Sequence, residues 1–97
     1  MKLICIGDSL TFGYGVHLSQ RTGWELVNEG INGDTTGGML ARMQGVVLAE
    51  LREGGLGADR PYVLLMGGSN DVFYSGSDAA ARGNMGAMIH QLFSVGV

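Results

Sequence analysis

Behind Lys2, a short apolar run from Leu3 to Ile6 stops at Gly7 and gives way to the polar, glycine-rich stretch GDSLTFGYG. A continuous apolar run of this kind is what a central parallel strand covered on both faces requires. The pattern recurs more weakly at Glu25 to Asn28. It recurs clearly at Pro61 to Met66, where proline is tolerated at the first position and Gly67-Gly68 ends the run. Two other stretches follow a helical period. Met39, Leu40, Met43, Val47 and Leu51 make one stripe, with Asp34, Thr35 and Thr36 as candidate N-caps and Gly54-Gly55 as a stop. Ala81, Met85, Met88, Ile89 and Leu92 make the other, over Asp78 to Phe93, with Ser77 or Asp78 as cap and Gly83 and Gly86 as weak points.

The predicted order is strand, loop, strand, helix, strand, helix, with REGGLGAD as a turn-rich connector. That order predicts an α/β fold with a parallel sheet and right-handed crossovers. Between Gly15 and Glu25 there is room for barely two helical turns, too little for a full crossover. The first connection is therefore expected to be a loop carrying His17. Ligands of such sheets bind beyond the carboxyl ends of the strands. A polar, glycine-rich cluster follows each predicted strand there: GDSLTFGYG, NEGINGDTTGG and GGSNDVFYSG.

Composition narrows the class. The 97 residues are one small domain at most, of marginal stability alone. A hydrophobic share of 45% argues against disorder, and 18 glycines point to loops that need positive φ or close backbone approach. The net charge of −3 and scattered Lys and Arg residues argue against a nucleic-acid partner. No apolar run approaches membrane-spanning length, and the one behind Lys2 is too short for a signal peptide, so a cytoplasmic protein is expected. The lone Cys5 reads as a small buried hydrophobe.

Acyl transfer needs a nucleophile, a base and donors for the developing oxyanion. Ser9 offers a hydroxyl at the open end of the sheet, and its own N–H can point the same way. Gly33 can present an N–H with no side chain in the way. Asn70 carries an amide that can donate to the same oxyanion. Each has a plainer reading. Ser9 fits a helix N-cap, Gly33 a turn after Asn32, and Asn70-Asp71 a turn or cap. Asp8 suits a hydrogen-bonding loop role and Asp34 a helix cap. Asp8, Asp34, Asp71 and His17 lack metal-ligand spacing, and no metal or organic cofactor is expected. Trp24, Met39, Met43, Met85 and Met88 read as core. Phe12, Tyr14, Phe73 and Tyr74 either line an acyl pocket or pack beneath it.

Three blocks together, GDSL at Gly7 to Leu10, the glycine of NEGINGDTT at Gly33, and GSND at Gly68 to Asp71, resemble the first motifs of the SGNH (GDSL) hydrolase family. The resemblance covers nearly the whole chain, including the TTGGML helix start. It implies a flavodoxin-like α/β/α sandwich. It implies an esterase, lipase, thioesterase or deacetylase acting on a small-molecule ester. By this resemblance Ser9 is the nucleophile, and Gly33 and Asn70 are oxyanion donors. The surroundings of Ser9 do not fit the GxSxG nucleophile elbow.

Two departures matter. The family places its catalytic histidine in a C-terminal DxxH motif, and these residues contain none. Neither His17 nor His90 matches it. Family domains are about twice this length, and the helix usual between the first two strands is not predicted. The chain is therefore expected to be the N-terminal part of one domain, not stable and active alone. Its C-terminal half would come from the same molecule or from a second chain. A competing reading is a fragment that only binds or associates. A nucleotide or phosphate binder is a third, weakened by the lack of a P-loop lysine and of GxGxxG.

Overall fold

A computed structural model describes residues 2–49 and 62–95. Among them lie β1 (Lys2–Gly7), α1 (Ser9–Thr22), β2 (Glu25–Gly30), α2 (Thr36–Arg42, continued as a π-helix over Met43–Leu48), β3 (Tyr62–Leu65), α3 (Ser69–Ser75) and α4 (Ala79–Ser94). The three strands form a parallel sheet in the order β2-β1-β3. Lys2 faces Glu25, and Leu3 lies between Leu26 and Tyr62. The first apolar run is thus the central strand, as its lack of alternation predicts.

Alternation sends successive side chains to opposite faces. Ile4 and Ile6 bury one face of β1 against Met39, Met43, Val47, Leu48, Met88 and Leu92. Both predicted helical stripes therefore pack on that face. Ile89 is the exception in its stripe and stays exposed. Leu51, the Gly54-Gly55 stop, the REGGLGAD connector and Pro61 lie outside the described residues. The helix over Asp78 to Phe93 is observed one residue later at each end, with Ser77 Oγ accepting from Ala79 N at 3.2 Å.

The opposite face corrects one expectation. The first connection is not a loop but the 14-residue helix α1, about 21 Å long, with exposed His17 inside it. Only Asp8 separates it from β1, so the crossover length counts from Ser9 rather than from Gly15. Gly15 is a contact point, not a breaker: a Cβ there would sit 2.6 Å from Asn28 Nδ2. Asn28 Nδ2 also donates to the Phe12 carbonyl at 3.0 Å. This close approach covers β1 and β2 and leaves the same face of β3 open, with Tyr62 and Leu64 exposed. Trp24 is half-buried and stacks on Tyr62, ring centroids 6.1 Å apart.

Cys5 is fully buried, and burial pushes its thiol pKa up. The thiol should therefore resist iodoacetamide at about pH 8 until the chain is unfolded. The unfolded thiol ionises near pH ~8.5 while the folded one keeps its proton. This contribution to stability is complete below that pH and is lost as pH rises above it. Urea midpoints on either side of the thiol pKa should show the decline, and Cys5→Ala should remove that part of it.

Candidate active site

All three strands end at the same edge, and each of the three polar clusters begins there. The first is built by Asp8. This residue is 2% exposed, and its Oδ1 accepts from Leu10 N at 3.0 Å. Phe12 N donates to its carbonyl at 3.1 Å. Asp8 is thus the N-cap of α1, which leaves Ser9 as the first helical residue. Ser9 is exposed, and its hydroxyl has no hydrogen-bond partner among the described residues. Its N–H lies in the first turn, where amides have no intrahelical acceptor. Thr11 is buried beneath, its Oγ1 3.3 Å from the Tyr14 hydroxyl.

The second cluster is a turn closed by Asp34 N donating to the Ile31 carbonyl at 3.1 Å. Gly33 occupies its third position at φ +78°, where a side chain would be strained. Gly33 is exposed, and its N–H has no acceptor among the described residues. The turn is tied to β1 by Ile31 N donating to the Gly7 carbonyl at 3.1 Å. Thr35, not Asp34, caps α2, its Oγ1 accepting from Gly38 N at 3.2 Å. Asp34 instead pairs with Arg42, at 2.9 Å from Nη2.

The third cluster is not only a loop. It holds α3, whose second residue is Asn70. Asn70 Nδ2 donates to the Asp34 carbonyl at 2.8 Å, which joins the second and third clusters directly. The amide carries two hydrogens, so one remains for a ligand. Asp71, buried, accepts from Thr36 N at 2.8 Å and from Thr36 Oγ1 at 2.5 Å. Asn84 Nδ2 donates to Thr36 Oγ1 at 3.1 Å, so this network also draws in α4. Ser9, Gly33 and Asn70 therefore come from three strand ends braced against one another.

The flanking aromatic residues divide. Tyr14 is half-buried, its hydroxyl against Thr11 and the Met66 sulfur. Phe12, Phe73 and Tyr74 are exposed, and the last two form an edge-to-face pair. The Tyr74 hydroxyl lies 3.8 Å from where a Cβ at Gly33 would be. An open, mostly apolar groove of about 570 Å³ lies between Gly67-Gly68, Val72 of α3 and one side of α4, and none of Ser9, Gly33 and Asn70 lines it.

Neither histidine joins these residues. His17 lies eight residues along α1, a rise of about 12 Å from Ser9. The Ala81 Cβ is 3.7 Å from a Cβ built at Gly68, and His90 is nine residues further along α4, a rise of about 13 Å. Among the described residues no group of three His, Cys, Asp or Glu side chains could hold a metal ion. No described helix is long and apolar enough to cross a membrane.

Sequence reasoning missed Arg42 and the Asp71–Thr36–Asn84 network. Thr36 was visible only as a candidate cap. Nothing local marks Arg42, whose partners come from three separate segments.

The profile of the GDSL-like lipase/acylhydrolase family matches residues 5–95. A protein assigned to the G-D-S-L family from Desulfitobacterium hafniense DCB-2 is 27% identical, with a TM-score of 0.79 over 96% of this chain and 53% of its own. AlinE4, an SGNH-hydrolase family esterase, is also 27% identical, with a TM-score of 0.70 over 99% of this chain and 55% of its own. A G-D-S-L family protein from Veillonella parvula DSM 2008, 21% identical, shares the fold, with a TM-score of 0.78 over 100% of this chain and 55% of its own. The chain spans about half the length of these structures. No curated protein sequence gives a match.

Proposed function

The chain belongs to the GDSL-like lipase/acylhydrolase family, and from that premise we propose that it carries the nucleophile and oxyanion donors of a serine ester hydrolase. Ser9 Oγ attacks the carbonyl carbon of a small-molecule ester, and a base takes the hydroxyl proton. The carbonyl oxygen becomes an oxyanion held by the Gly33 N–H, the free Asn70 N–H and the Ser9 N–H. The tetrahedral intermediate collapses to an acyl-serine. The alcohol leaves with the proton, and water then releases the acid. The observation that supports this reading best is the division of labour at the strand ends. Asp8 takes the cap, leaving the Ser9 hydroxyl uncommitted, and Asn70 is braced on the turn that presents Gly33.

The base is a histidine that these 97 residues do not supply. Further residues of the same molecule, or a partner chain, bring it, so the region is one partial hydrolase domain. The placement of His17 and His90 favours a second reading, in which the 97 residues alone bind or associate without turnover. An esterase, lipase, thioesterase or deacetylase fits the site; no cofactor enters the steps above.

The test is Asn70→Ala, assayed on p-nitrophenyl acetate in the protein with its base supplied. Losing one oxyanion donor should lower kcat by about 10²- to 10³-fold with KM little changed. An unchanged kcat would remove Asn70 from the oxyanion hole.

A further inference from the structure

We propose that Arg42 is a positioning residue for the oxyanion hole, acting through Asp34 on the turn that carries Gly33. The inference rests on the hydrolase reading and extends it to a residue two elements away from the reacting atoms.

The Arg42 side chain is 16% exposed, and its guanidinium donates to three segments. Nε donates to Asp34 Oδ2 at 3.0 Å, and Nη2 lies 2.9 Å from the same oxygen. Nη1 donates to the Glu29 carbonyl at 2.8 Å, near the end of β2. Nη2 donates to the Gly7 carbonyl at 3.0 Å, at the end of β1. One planar fork therefore fixes the ends of two strands and the residue that follows Gly33. Asp34 is held on both sides, its carboxylate by Arg42 and its carbonyl by Asn70.

The need for such a clamp follows from Gly33 itself. Glycine is the freest residue of the backbone, and the Gly33 N–H faces no acceptor among the described residues that would fix it. An oxyanion donor acts only within about 2.7–3.1 Å of the developing charge. A displacement of about 1 Å can cost on the order of 10²-fold. The Arg42–Asp34 pair holds the turn before substrate arrives. Lysine cannot replace it, because an ammonium is a point charge without the fork that reaches a carboxylate and two carbonyls together.

The test compares wild type, Arg42→Lys and Asp34→Asn in the protein with its base supplied. It reads p-nitrophenyl acetate kinetics, and amide hydrogen exchange at Asp34, whose N–H closes the turn, against Cys5 in the central strand. Both variants should lose about 10-fold or more in kcat with KM nearly constant. Asp34 exchange should accelerate by a similar factor while Cys5 exchange stays at the wild-type rate. Wild-type exchange at Asp34 in both variants would overturn the proposal. So would equal acceleration at Asp34 and Cys5, which would mark the pair as a general brace. If Arg42→Lys fails to fold, Asp34→Asn decides alone, since it keeps the carbonyl that Asn70 holds. If wild type shows no Ser9-dependent turnover, the hydrolase reading fails while the exchange pattern still decides the clamp.

Discussion

Ser9→Ala should abolish ester turnover, lowering kcat by on the order of 10⁴-fold or more in the protein with its base supplied. The residual rate would come from the proposed oxyanion donors at Gly33 and Asn70, which the substitution leaves in place. Stability should hardly move, within about 0.5 kcal/mol, because Ser9 is exposed and its hydroxyl bonds to no described residue. Asp8 keeps the cap in the variant, so α1 stays where it is. Kinetics and thermal unfolding on the same preparation check both halves. A variant as active as wild type would place the nucleophile elsewhere, and an unfolded one would make Ser9 a structural residue.

The second large effect is structural. Gly30→Ala should destabilise the domain by about 3 kcal/mol or more, beyond the range of ordinary surface changes. A Cβ at Gly30 would collide with the backbone nitrogen of Phe12. It would also lie 2.7 Å from Phe12 Cα and 2.9 Å from the Asp8 carbonyl oxygen. All three are main-chain atoms, so no side chain can swing aside. Helix α1 must lift from β2, and its first residues, Ser9 among them, must move with it. The melting temperature should fall by on the order of 15 °C for a domain of this size. Gly13→Ala is the matched control. It lies in the same helix with open space around it, so it should stabilise by about 0.5–1 kcal/mol. Equal effects of the two substitutions would show that α1 does not pack on β2 as described.

The sheet was legible because burial on both faces leaves a simple trace. Leu3 to Ile6 are apolar for that reason, Tyr62 to Leu65 are apolar although Tyr62 and Leu64 stay exposed, and parallel strands put their polar sequels at one edge. Helix α1 was not legible. Gly13 and Gly15 imitate a loop, yet Gly15 is small because Asn28 lies against it. Helix α3 was hidden by its brevity, inside a cluster bounded by Gly68 and Gly76. Ser9, Gly33 and Asn70 could be named from motif blocks at strand ends. The brace around them could not. Arg42 meets Gly7, Glu29 and Asp34 through long-range contacts, and Asp71 meets Thr36 across 35 residues. Such pairs leave no periodicity or spacing to read.

The most direct test is intact mass after treatment with a fluorophosphonate probe, which forms a covalent bond with an activated serine. The account predicts a single adduct on the protein with its base supplied, absent from Ser9→Ala. It also predicts no adduct on a 10.2 kDa species containing these residues alone. An adduct that survives Ser9→Ala, or no adduct with the base present, would contradict the assignment of Ser9 as the nucleophile.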